Sequence, residues 1–139
     1  MKILMTGSDG YIGSHLKPYL ESKGHEVDGY LGEITEFSIN NNEPLPDMVI
    51  HLAALTGVRK SIEMTDQYYE VNVVGTREVF MSCQEYDIPV LFASSSNAKE
   101  VNNPYAETKL STKKIALKTQ WDFDHIQYIL EDQTCCSSR

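Results

Sequence analysis

Residues Thr6–Leu16 read TGSDGYIGSHL, and this stretch decides the fold. Gly7, Gly10 and Gly13 form G-x-x-G-x-x-G between two different hydrophobic patterns. Before them, Lys2–Thr6 (KILMT) is a short apolar run, as a buried strand would be. After them, Tyr11, Ile12, Leu16, Tyr19 and Leu20 recur at helical spacing within Tyr11–Lys23. Strand, glycine turn and helix in that order can cradle a pyrophosphate. The first glycine permits the tight turn, the second lets backbone approach the phosphates, and the third lets helix pack on strand. The helix N-terminus adds N–H groups and a positive dipole end. Glycines alone could build a purely structural turn; their spacing and setting favour dinucleotide binding.

Outward from this turn, strands and helices alternate. Pro18 is expected to kink or restrict the first helix, and Gly24 to stop it. Glu26–Leu31 (EVDGYL) reads as a second strand, and 39–46, polar with two prolines, as loop. Met48–Ala53 (MVIHLA) is apolar enough for a strand covered on both faces. Thr65–Tyr86 reads as one long helix with Val71, Val74, Val79 and Cys83 inward. Pro89–Ala93 is the next strand, Ser94–Pro104 a loop, Ala106–Lys118 a helix, and Phe123–Leu130 a last strand. This order predicts βαβ units: a doubly wound parallel sheet in three α/β/α layers, as one domain over 1–130. Glu131–Arg139 (EDQTCCSSR) is expected to be a disordered tail.

Composition limits the alternatives. The 139 residues suit a single domain, and the formal net charge of −8 offers no basic patch for nucleic acid. Lys109, Lys113, Lys114 and Lys118 read as a solvated helix face. No apolar run is long enough for a membrane span and no signal peptide is evident, so a cytoplasmic location is the default expectation. Cys83, Cys135 and Cys136 make neither a disulfide framework nor a zinc pattern, and no metal site is expected. His51, in a strand, reads as a hydrogen-bonded core histidine rather than a ligand.

Five landmarks in order resemble the extended short-chain dehydrogenase/reductase family, the NAD-dependent epimerases and dehydratases of nucleotide sugars. They are TGSDGYIGSHL, PDMVIHLAA (46–54), NVVGT (72–76), FASSS (92–96) and YAETK (105–109). The resemblance implies a Rossmann-type domain that binds NAD or NADP. It carries cofactor contacts onto Gly7, Asp9, Gly10, Tyr11, Ile12, Gly13, Glu33, Ile34, Leu52, Ala53, Ala54, Asn72, Tyr105 and Lys109. In the family the helix asparagine, here Asn72, ties the central strands together near the cofactor.

Tyr105 and Lys109 are four apart at a helix start, which puts them on one face. A phenol ordinarily titrates near 10, and a nearby ammonium favours its ionised form. By resemblance, Tyr105 exchanges a proton with a substrate hydroxyl while hydride passes to or from nicotinamide. Lys109 holds the nicotinamide ribose, and Ser96, or next to it Ser95, orients the substrate oxygen. The two long helices resemble a dimeric four-helix bundle in the family, which implies a homodimer with Leu110 and Leu117 as candidate contacts.

The sequence also departs from the family pattern. Leu31 stands where a ribose-binding carboxylate is expected, with Asp28 three residues earlier, so NAD and NADP stay open. The segment 31–46 is short, as in compact reductases of the dTDP-4-dehydrorhamnose type, and Gly32–Thr35 (GEIT) resembles the family's G-D-I-T element near the adenine, which implies an adenine-side role for Glu33. Tyr105 follows Ser96 by only nine positions, replacing a longer loop that borders substrate. The family's smaller substrate domain would follow beyond Arg139. Two expectations result: a nucleotide-sugar epimerase, dehydratase or reductase with a Ser-Tyr-Lys site, or a catalytically incomplete NAD(P)-binding module.

Overall fold

The computed structural model describes residues 1–118 and 126–129. Five strands, β1 (Lys2–Thr6), β2 (Glu26–Tyr30), β3 (Met48–His51), β4 (Val90–Ala93) and β5 (Ile126–Ile129), form one sheet in the order β2-β1-β3-β4-β5. All four pairings are parallel, with Thr6 opposite Tyr30 on one side and His51 on the other. Helix α1 (Tyr11–Ser22) joins β1 to β2. Helices α2 (Val58–Glu63), α3 (Thr65–Tyr69) and α4 (Gly75–Glu85) join β3 to β4, and α5 (Pro104–Lys118) lies between β4 and β5.

The chain therefore leaves β1 in one direction and continues from β3 in the other. Right-handed crossovers in opposite directions place helices on opposite faces. On one face Ile3, Met5, Val27 and Ile50 pack against Leu16 and Leu20 of α1. On the other, Val49, Val90 and Phe92 pack with Val79, Phe80 and Cys83 of α4 and Ala116 of α5. This is the expected doubly wound, three-layer arrangement. Between β2 and β3 a single 3₁₀ turn (Ile34–Glu36) replaces a helix, and Ile34, Phe37 and Ile39 join the core in its place.

Several details refine or differ from the sequence reading. Pro18 lies inside α1, which runs through it to Ser22. Pro18 and Ser14 are exposed, so the carbonyl that proline leaves without an N–H can face water. Tyr11, Ile12 and Tyr19 share the helical period but are 86%, 54% and 58% exposed; only Leu16 and Leu20 of the five pack on the sheet. The expected long helix is α3 and α4 joined by a π-helical turn, Glu70–Val74. That turn shifts the helical phase: Val79 and Cys83 are buried as expected, but Val73 and Phe80 are buried too, while Val71 and Val74 are half-buried. Helix α2 was not foreseen; six residues are too few to show a period. Residues 131–139, read as a disordered tail, and Cys135 and Cys136 lie outside the described residues.

Candidate functional site

Because every strand is parallel, β1, β3 and β4 end on the same edge of the sheet. The site forms there, where the crossovers diverge between β1 and β3. The turn after β1 is shaped by missing side chains. Gly7 has φ +68°, and a Cβ on it would meet the Ala53 nitrogen at 2.8 Å. A Cβ on Gly13 would collide with the Gly7 carbonyl and the Ser8 backbone. Thus Gly7 lets the segment after β3 approach, and Gly13 lets α1 close on the turn. Gly10 is the N-cap of α1, with no side-chain cap and no acid in the first turn. Such an end is open to an anion. Asp9, Tyr11 and Ile12 are exposed around it.

Leu52, Ala53 and Ala54 follow β3 and are half-buried. The amides of Leu52 and Ala53 both donate to Thr6 Oγ1, each at 3.2 Å. Thr6 Oγ1 also lies 2.7 Å from His51 Nδ1, and His51 Nε2 lies 2.9 Å from Thr76 Oγ1. His51 is a hydrogen-bonded core residue, as its strand position implied. Burial, and secondly the charge of Lys109, lower its pKa to about 3.

Asn72, in the π-helical turn, is buried. Its Oδ1 accepts from the Leu55 amide at 2.7 Å, and its Nδ2 donates to the Leu55 carbonyl at 3.0 Å and to Thr108 Oγ1 at 3.2 Å. It ties the loop after β3 to α5 rather than strand to strand.

Tyr105 and Lys109 lie one turn apart on α5, as their spacing required. Tyr105 is half-buried and Lys109 is 6% exposed. Lys109 therefore does not share the solvated face of Lys113, Lys114 and Lys118. Its Nζ donates to the Ala93 carbonyl at 3.4 Å and sits 5.9 Å from the Phe92 ring centre, which places it at the end of β4. Burial lowers its pKa to about 8, so it still carries its proton at neutral pH. Ser96 is exposed and opens a 3₁₀ turn (Ser96–Lys99) directly beyond β4; Ser95 is half-buried beside it. Glu33 is exposed past β2, whereas the Ile34 side chain is committed to the core. Leu31, in place of the expected carboxylate, is 90% exposed.

Two residues that the sequence reading missed hold Tyr105. Ser61 of α2 is fully buried; its Oγ accepts the Tyr105 amide at 3.1 Å and donates to the Val58 carbonyl at 2.6 Å. It caps α5 from 44 positions away. Tyr68 of α3 meets the Tyr105 ring edge-on at 6.4 Å and anchors its hydroxyl on the Thr56 carbonyl at 2.6 Å. Neither has a local pattern that distinguishes it. Among the described residues, no cluster of His, Cys, Asp and Glu could hold a metal ion, and no helix is long and apolar enough to cross a membrane.

Residues 3–130 match the model of the NAD dependent epimerase/dehydratase family. The chain belongs to that family. An epimerase/dehydratase relative, UDP-glucose 4-epimerase of Halalkalibacterium halodurans, is 31% identical over 83% of this chain and 45% of its own length. UDP-N-acetyl-alpha-D-glucosaminuronate decarboxylase of Bacillus cytotoxicus is 27% identical over 96% of this chain and 49% of its own. Among solved structures, MoeE5 in complex with UDP-glucose and NAD superimposes with a TM-score of 0.77 at 26% identity, over 92% of this chain and 52% of that one. The chain thus spans about half the length of the relatives it matches. The comparisons lend no support to the alternative of a catalytically incomplete module.

Proposed function

We propose that the chain binds NAD or NADP across the carboxyl ends of β1 and β3 and acts on a nucleotide sugar as an epimerase, dehydratase or reductase. The observation that carries this reading is the burial of Lys109 at the end of β4, one turn from Tyr105, on the same sheet edge as the glycine turn. The cradle fits a dinucleotide: a Cβ at Gly7 or Gly13 would fill it, and the α1 N-terminus is left uncapped by side chains. Gly7, Gly10, Gly13 and the first turn of α1 would hold the pyrophosphate. Leu52, Ala53 and Ala54 would line its path, and Asp9, Glu33 and the Ile34 backbone would lie toward the adenosine end.

A bound nicotinamide would supply hydride exchange with the sugar. Tyr105 would take or give the substrate hydroxyl proton at its phenolic oxygen. The Lys109 ammonium would bind the ribose and supply positive charge beside the phenol. Ser96 would orient the substrate oxygen, with its exposed position beyond β4 leaving it free to do so. Asn72 would keep the segment after β3 fixed against α5.

The test is Tyr105→Phe. Turnover on UDP- and dTDP-sugars should fall at least about a thousandfold, within the span of general acid–base catalysis. Cofactor affinity should stay within about twofold. Undiminished turnover in this variant would remove the catalytic assignment. A homodimer through α4 and α5 accords with the exposure of Met81 and Leu117, 56% and 54%. Leu110 is half-buried. Sedimentation of Leu117→Asp against wild type tests it: a dimer that becomes monomeric supports this interface, and an unchanged mass rejects it.

A further inference from the structure

We propose that His51 is a positioning residue. In one imidazole tautomer, protonated at Nε2, it locks the turn after β1, the end of β3 and helix α4 into the register that sets dinucleotide affinity. The affinity part rests on the dinucleotide reading above.

The tautomer follows from counting protons. A threonine hydroxyl accepts two hydrogen bonds and donates one. Thr6 Oγ1 accepts from the Ala53 amide at 3.2 Å and, also at 3.2 Å, from the Leu52 amide, which it shares with the Thr6 carbonyl. Its own proton is then left for His51 Nδ1 at 2.7 Å. Nδ1 is an acceptor, so the ring proton is on Nε2 and is donated to Thr76 Oγ1 at 2.9 Å. The opposite tautomer would bring a third N–H onto that hydroxyl, beside the Ala53 amide and the shared Leu52 amide, and would take from the buried Thr6 proton its acceptor at Nδ1. An imidazolium would lose the Thr6 bond. Thr6, His51 and Thr76 are all at most 2% exposed, so water cannot repair either error.

The consequence lies at the glycine turn. Ala53 nitrogen, held by Thr6, is the atom that a Cβ on Gly7 would meet. The hydroxyl that His51 orients therefore holds the segment after β3 against the phosphate turn. Thr76 carries the same ring to α4. Three segments far apart in the chain share one imidazole.

Long-range 15N–1H correlation of the full chain, labelled at histidine, tests the tautomer. His51 is assigned by its loss in His51→Gln. The expected spectrum shows a bare Nδ1 and a protonated Nε2, unchanged from about pH 5 to about pH 8, the window in which an ordinary histidine titrates. An Nδ1–H tautomer, or titration in that window, overturns the lock. Thr6→Val should raise the Kd for NAD+ or NADP+ about tenfold, or about 1.4 kcal/mol. Thr6→Ser should restore it to within about twofold. Lower thermal stability with unchanged Kd would reduce the network to a structural role and overturn positioning. Should Thr6→Val fail to fold, Thr76→Val, farther from the turn, provides the same comparison with Thr76→Ser as its rescue. If wild type binds neither dinucleotide, the functional reading fails and takes the affinity claim with it, while the tautomer spectrum still decides the lock.

Discussion

The two ends of the candidate site are built in opposite ways. At the turn after β1 the site is a space, created where Gly7 and Gly13 lack side chains. At α5 it is a set of side chains, Tyr105 and Lys109, held by Ser61, Tyr68 and the Ala93 carbonyl. Tolerance to substitution should differ accordingly. A space is lost by adding one carbon. A held side chain loses its place by degrees, as its supports are removed.

The largest expected effect is therefore at the glycine turn. Gly13→Val should cost about 3 kcal/mol or more, because backbone atoms of Gly7 and Ser8 occupy the new position and cannot rotate away. Urea unfolding measures it, and a variant as stable as wild type would contradict the close backbone packing around Gly13. Ser61→Ala comes next. It leaves the Tyr105 amide without its side-chain acceptor, at a cost of about 1–2 kcal/mol. Turnover should fall several-fold while cofactor affinity holds; equal losses in both would mean that Ser61 supports the whole fold rather than the tyrosine.

The smallest effect on stability, and opposite in sign, is at Lys109. Lys109→Met should abolish turnover yet raise stability at neutral pH by about 1 kcal/mol, since it removes a buried charge and keeps the volume. The pH dependence sharpens this. Burial lowers the lysine from 10.5 to about 8. Between those values the native state has shed a proton that the unfolded state keeps. Wild type should therefore gain stability as pH rises from about 8 to 10.5, and Lys109→Met should not. Denaturant midpoints across that range decide it; parallel curves for the two proteins would contradict the burial of a charge.

The same contrast explains what could be read from the chain. The glycine turn was legible because its residues are local: three glycines at fixed spacing between a strand and a helix. Tyr105 and Lys109 were legible for the same reason, four positions apart on one helix. Their supports were not. Ser61 meets Tyr105 across 44 positions, and Thr6 meets His51 across 45, so no window of sequence contains either pair. The inner face between β3 and β4 was only half legible, because the π-helical turn at Glu70–Val74 inserts a phase shift that a regular 3.6-residue period cannot carry. Tyr11 and Ile12 fit the period of α1 yet face outward, because they stand in the first turn beside the site rather than over the sheet. The pairing of Lys109 with Tyr105 is legible in the spacing, but its burial, which separates it from Lys113, Lys114 and Lys118, is visible only once α5 lies against β4.

The most direct test of dinucleotide binding is calorimetric titration of the full chain with NAD+, NADH, NADP+ and NADPH. Binding of at least one with a Kd of about 100 micromolar or tighter, lost in Gly13→Val, is the predicted result. No binding by any of the four would contradict it, and would leave the glycine turn as an element of the fold alone.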